Sequence, residues 1–441
     1  MKKKSTLMGL AAVALGATAL STPAFAAVSD ESQYIFNSLL FLIGGFLVMW
    51  MAAGFCMLEA GLVRSKNVAT MCVKNVGLYS IAGLMYFLIG YNLMYSGVAE
   101  GTGFMGTFSI WGPDDSGIEA GDFSGGYSAT SDWFFQMVFV ATAASIVSGT
   151  LAERIKLFPF FIFVVILTGI IYPIQGSWEW GAGWLDGLGF SDFAGSTLVH
   201  STGGWAALAG AIILGPRLGK YSEDGKPLAL PGSSLPLATL GTFILWLGWF
   251  GFNGASQLAM GSAADVAAIA NIFANTNAAA AGGVVAAILV TKIVYKKVDL
   301  TMALNGALAG LVSITAEPLT PTMGSAALIG AVGGVLVVFA VPLLDRLKID
   351  DVVGAISVHL VAGIWGTMAV PLTNGDVTFT AQAIGVVAIG AFVFVVSAVV
   401  WYILKFTMGI RMSEEDELAG GDYAELGMEA YPEFGKGSQI M

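Results

Sequence analysis

Two imidazoles stand out in a chain that otherwise avoids polar groups. His200 and His359 are the only histidines among 441 residues, and each follows an aspartate, Asp192 or Asp351, by eight positions. The stretches DFAGSTLVHSTGG and DVVGAISVHLVAG share the pattern D-x-x-G-x-x-x-V-H-x-x-x-G. A neutral imidazole offers one donor and one acceptor. Two set side by side resist double protonation and share one proton through a hydrogen bond. Such a pair suits a small molecule that both gives and accepts hydrogen bonds. The ordinary alternatives are a helix-to-helix bond with no further role, and ligation of a single haem.

Aromatic residues supply a second kind of chemistry. WFFQMVFVATAAS places Phe135 and Phe139 on one helix face, and LWLGWFGFNGAS brings Trp249 and Phe252 together with Ser256 one turn further. GSWEWGAGW adds Trp178, Trp180 and Trp184 at the external interface. Ring faces attract cations, more strongly where water is scarce. The competing reading is an interfacial tryptophan belt with lipid-facing phenylalanines.

The elements that carry these residues are membrane helices. Hydrophobic residues make up 56% of the chain and charged residues 11%, with a mean hydropathy of +0.79; a soluble chain carries roughly twice that charge. Eleven apolar segments follow, at 35–60, 69–95, 133–152, 158–175, 194–215, 235–256, 266–294, 301–316, 324–344, 352–372 and 379–406. Their length predicts an all-α polytopic membrane protein with eleven transmembrane helices, not a β-barrel. Residues 1–26, with Lys2, Lys3 and Lys4 before an apolar stretch and Ala24-Phe25-Ala26, read as a cleavable signal peptide. A retained anchor is the alternative.

Basic residues orient the bundle. With the mature N-terminus outside, Arg64, Lys66, Arg154, Lys156, Arg217, Lys220, Arg346 and Lys348 all fall in inner segments, and Arg411 and Lys436 in a cytoplasmic tail, 411–441. The outer segments hold no Lys or Arg, while Glu100, Asp114, Asp115, Glu119 and Asp122 crowd the longest of them. This follows the positive-inside rule and predicts the cytoplasmic (inner) membrane as the location. Lys74, Lys292 and Lys405, at helix ends on the inner side, are expected to snorkel to the interface. Cys56 and Cys72, near inner helix ends, are expected as free thiols.

The histidine motif falls on helices five and ten, which cross in opposite directions. A 5+5 inverted-topology repeat is therefore expected, approximately 34–215 and 235–373, within a transmembrane domain 27–410 that also holds helix eleven (379–406). The repeat places each histidine roughly 12 Å from its aspartate, near mid-membrane. Asp192 is expected to cap backbone amides at its helix start.

With these residues in place, the chain resembles the ammonium transporter (Amt/Rh) family, bacterial Amt type. The resemblance covers nearly all of the chain after the signal peptide through GLVRSKN, GTLAERIK, DFAGSTLVH, LGWFGFN, ITAEP, DDVVGAISVH and GGDYAELGMEAYPEF. It implies a homotrimer with one narrow pore per subunit, conducting ammonium or ammonia and accepting methylammonium. By similarity, Phe139, Trp180 and Ser256 recruit ammonium, Asp192 supports that region, and Phe139 and Phe252 form a phenyl gate lined by Trp249. Phe135 matches the entrance, His200 and His359 the pore pair, and Thr315 a residue near the outer constriction. A PII-type nitrogen regulator at the inner face is also implied. Two departures stand out: Glu317 near the outer mouth, where a carboxylate could strengthen cation recruitment, and Leu426 before Gly427 in the tail.

No nucleophile–base pair, phosphate loop or metal cluster is apparent, so no enzyme activity, cofactor or nucleic-acid partner is expected. Against transport stand an ammonium sensor signalling through the tail, which would usually need a fused signalling domain, and a bis-histidine membrane cytochrome. The tail itself reads most simply as an acidic, solvated segment that packs on the neighbouring subunit.

Overall fold

The computed structural model describes residues 28–433; the signal-peptide expectation lies outside them. Nine of the helices there are long and apolar enough to cross a membrane: α1 Asp30–Leu62, α2 Ser65–Tyr95, α3 Ala129–Thr150, α4 Leu157–Ser177, α5 Ser196–Leu214, α6 Leu235–Gln257, α7 Ala263–Tyr295, α9 Met323–Arg346 and α11 Phe379–Thr407. Two shorter apolar helices, α8 Leu300–Thr315 and α10 Ile356–Leu372, complete the series. A short α12, Glu414–Ala419, lies in the tail. No named strand occurs among the described residues.

Polar residues start these helices where the apolar runs begin. Ser29, Ser234, Thr322 and Thr378 each accept an amide N–H from the first turn of α1, α6, α9 and α11. Ser262 and Asp265 close a reciprocal capping box on α7, and Asp299 caps α8 through Thr301 and Met302. Each cap satisfies donors that lipid could not.

Packing between spans relies on small residues, because apolar side chains gain little by leaving lipid for protein. A Cβ on Gly283 of α7 would lie 2.1 Å from the Gly306 carbonyl of α8, and one on Gly334 of α9 would lie 2.2 Å from the Gly283 carbonyl. The backbones therefore touch. α8 and the first half of α10 are buried, whereas Val76, Phe158, Leu328, Val387 and Phe406 expose apolar side chains at the perimeter. Lys74 does not snorkel: it is fully buried, its Nζ donates to the Ser148 carbonyl at 2.8 Å, and it lies over the Phe160 ring at 4.6 Å. The close approach of α2, α3 and α4 gives it a polar partner without reaching water.

Candidate functional site

The histidine motif is a piece of backbone engineering used twice. Gly195 has φ +107° and Gly354 φ +82°, left-handed values that favour glycine. Each turns the chain sharply, so the amides after it point back at the preceding aspartate. Asp192 Oδ1 accepts from Gly195 and Ser196 at 3.1 and 2.8 Å, and Oδ2 from Thr197 and Leu198 at 2.7 and 2.8 Å. Asp351 does the same for Ala355 and Ile356 at 3.1 and 2.8 Å, and its Oδ1 also accepts from Thr150 Oγ1. Both helices then open in π-helical turns, Ser196–Ser201 and Ile356–Val361, which hold the histidines. Widened turns of this kind often mark functional sites.

Four spans separate α5 from α10, so the two copies enter the bundle from opposite sides, and their histidines meet. His200 Nδ1 and His359 Nδ1 are 3.2 Å apart, with ring centroids 5.2 Å apart and planes 21° from parallel. The two residues are 0% and 2% exposed. One Nδ1 must donate and the other accept. The donor ring is then left with a bare Nε2 acceptor, and the other ring carries its proton on Nε2. The pair presents one acceptor and one donor, and His200 Nε2 has no protein partner. Facing nitrogens at hydrogen-bonding distance have room for a proton between them but not for an iron, which does not fit a haem.

Rings continue the column toward the acidic side of the bundle. Trp249 stacks on His200 at 4.8 Å and is fixed by donating Nε1–H to Thr315 Oγ1 at 2.8 Å. Phe252 lies 5.2 Å from His200, and Phe139 lies 4.1 Å from Phe252. Beyond Phe139 opens a cavity of about 520 Å³ bordered by Phe135, Trp180 and Ser256. Trp180 stands edge-on to Phe139 at 6.1 Å and donates to the Asp192 carbonyl. The structure thus brings together every residue expected at the site. The Asp192 carboxylate accepts four amides, and the Thr315 hydroxyl holds the Trp249 ring.

Some expectations change. Glu317 is absent from the cavity wall; its carboxylate accepts the Leu319 and Thr320 amides and the Asn374 side chain, holding a loop. Trp178 and Trp184 pack against Phe392 and against Phe104 of the outer segment, and of the three only Trp180 borders the cavity. Residues the sequence did not single out also line it. Asp132 accepts from Tyr91 and Gln136, and Glu179 Oε1 accepts the Asp192 amide while Oε2 has no partner. Burial and the charge of Asp192 push the Glu179 carboxyl well above its ordinary range. Asp132 looks in sequence like an ordinary first-turn acid, and only the folded chain sets it in the cavity wall.

The basic side is tied by ions. Arg154, fully buried, donates to the carbonyls of Thr150, Ala152, Gly215 and Asp350. Arg217 joins Asp350 and Glu153, and Glu153 also holds Arg64. The tail docks on these loops of its own chain. Glu417 accepts from Leu218 and Arg411, while Asp422 accepts from Ala69 and Thr70.

An all-helical membrane bundle with a buried twin-imidazole column beneath stacked rings defines a transport protein for a small polar solute. The family model described as Ammonium Transporter Family matches residues 39–431, and the chain belongs to that family. It is 41% identical to ammonium transporter Amt2 of Archaeoglobus fulgidus over 427 residues, covering 89% of this chain and 87% of that one. A putative ammonium transporter of Synechocystis is 43% identical, with coverage of 90% and 89%. Among solved structures, a Sensor Amt Protein superposes with a TM-score of 0.83 at 36% identity, covering 90% of this chain and 100% of that one. Candida albicans Mep2 superposes with a TM-score of 0.77 at 27% identity and 92% coverage of both.

Proposed function

We propose that this chain conducts ammonium across the cytoplasmic membrane by taking the ion apart. The basic side faces the cytoplasm and the acidic cavity faces outward, a reading supported by the one-sided distribution of Lys and Arg. Ammonium enters the outer cavity, where the faces of Phe139 and Trp180 and the hydroxyl of Ser256 replace part of its water. A bare cation passing the Phe139–Phe252 stack would pay a heavy desolvation penalty. It gives its proton to water in the outer cavity above that gate, so that one N–H bond breaks as hydronium forms, and neutral ammonia moves on along His200 and His359.

The observation that carries this reading is the unpartnered Nε2 of His200 in a pair locked Nδ1 to Nδ1. A passing ammonia can donate to the bare imidazole nitrogen and accept from the protonated one. Potassium has no proton to release, so the same column rejects it. Division into a transmembrane domain over 27–410 and a cytoplasmic tail over 411–441 accords with the hydrogen bonds of Glu417 and Asp422 to the inner loops. Trimeric assembly and docking of a PII-type regulator rest on the family resemblance.

The test is uptake of labelled methylammonium by transport-deficient cells. His200→Ala and His359→Ala are expected to change rate or selectivity sharply, since each removes half of the donor–acceptor pair. Wild-type uptake in both variants overturns the proposal.

A further inference from the structure

Below the histidines lies a buried carboxylate that the conduction scheme leaves unused. Glu59, near the end of α1, is 1% exposed. Its Oε2 accepts from Ser148 Oγ at 2.7 Å and Asn75 Nδ2 at 3.1 Å, while Oε1 has no partner. Lys74 is its neighbouring cation, but the ammonium is turned onto the Ser148 carbonyl and the Phe160 ring and makes no ion pair with Glu59. A buried carboxylate oxygen with no donor is costly to keep.

The space beside Glu59 connects to the column. A narrow cavity of about 10 Å³, enough for one water-sized molecule, has Glu59, Phe55, His359, Asn305 and Val353 in its wall. Phe55 lies 6.0 Å from His359, continuing the ring stack past the histidines. Asn305 and Val353 also wall a second cavity, of about 200 Å³, among the inner loops. The two cavities share Asn305 and Val353, which places Glu59 between His359 and the inner loops.

We infer that Glu59 forms an inner ammonium site, in which Oε1 accepts an N–H from the cation while Ser148 and Asn75 hold the carboxylate in place. The inference rests on the conduction reading above. It gives each end of the column its own polar station, aromatic and hydroxyl outside, carboxylate inside. The site matters most for ammonium presented from the cytoplasm.

Everted and right-side-out membrane vesicles separate the two faces. Glu59→Gln, and the charge-balanced pair Glu59→Gln with Lys74→Met, are compared with wild type for labelled methylammonium uptake. In everted vesicles the half-saturating concentration should rise about tenfold, the loss of one charge-assisted hydrogen bond; in right-side-out vesicles it should stay unchanged. Equal shifts in both vesicle types, or none in either, overturn the inner site. In wild-type protein, ammonium should protect Glu59 from a membrane-permeant carbodiimide, read by peptide mass spectrometry; absent labelling or absent protection also overturns it. Failure here with a strong effect of His200→Ala removes only the inner site, whereas indifference to both histidine variants removes the conduction reading beneath it.

Discussion

Asp192→Asn decides whether the carboxylate at the head of α5 builds the site or touches the cargo. Its two oxygens accept four backbone amides. An asparagine keeps one oxygen and turns an NH2 group onto the other pair of N–H donors. Two buried amides without acceptors cost about 1–3 kcal/mol each. Part of that is returned, because burial pushes the native carboxyl above its ordinary range despite the four bonds, so the charge itself is under strain. A net loss of about 2–4 kcal/mol is expected. Unfolding of the detergent-solubilised protein, followed by the fluorescence of its 11 tryptophans, measures it. Uptake should fall with the folded fraction, while folded protein keeps a wild-type half-saturating concentration. A variant that unfolds like wild type yet transports nothing would refute this reasoning and make Asp192 a direct participant.

Two further expectations concern the gate and the inner loops. Phe252→Ala removes the ring between Phe139 and His200 and should let hydrated cations through, seen as a potassium current in reconstituted bilayers; unaltered selectivity removes the gate role. Asp350→Asn tests the ion hub. Burial by itself would raise the Asp350 carboxyl, but hydrogen bonds from Arg217 and the charges of Arg154 and Arg217 hold it well below its ordinary value. A carboxyl depressed in this way stabilises the fold above its unfolded pKa, near 3.8, and loses that contribution as pH falls through the lowered native value. The variant should therefore unfold at a lower temperature than wild type near neutral pH, with the gap closing only in strong acid. A gap that does not narrow in acid contradicts the assigned cause.

Much of the site was legible because its parts are local. D-x-x-G-x-x-x-V-H specifies a cap, a left-handed turn and an imidazole within nine residues, and the pattern itself exposes the duplication. Phe135 and Phe139 were legible from helical spacing, since residues four apart share a face. Asp132, Glu179 and Glu59 were not. Each stands near a helix end, where an acid is unremarkable, and its burial comes from helices remote in sequence. Lys74 misled for the same reason: position along a helix suggests snorkelling, but neighbouring helices closed over it. The tail likewise reads as a solvated acidic segment until Glu417 and Asp422 are seen on the inner loops.

Composition and periodicity settled the class, the helical runs and the crowding of basic residues at one set of connections, because lipid imposes those constraints on each segment separately. What the chain folded in three dimensions decided was which polar atoms remain without partners. His200 Nε2, Glu179 Oε2 and Glu59 Oε1 are buried without hydrogen-bond partners, and no single segment encodes that. A hydrogen bond satisfied or withheld is a property of the whole packing around an atom.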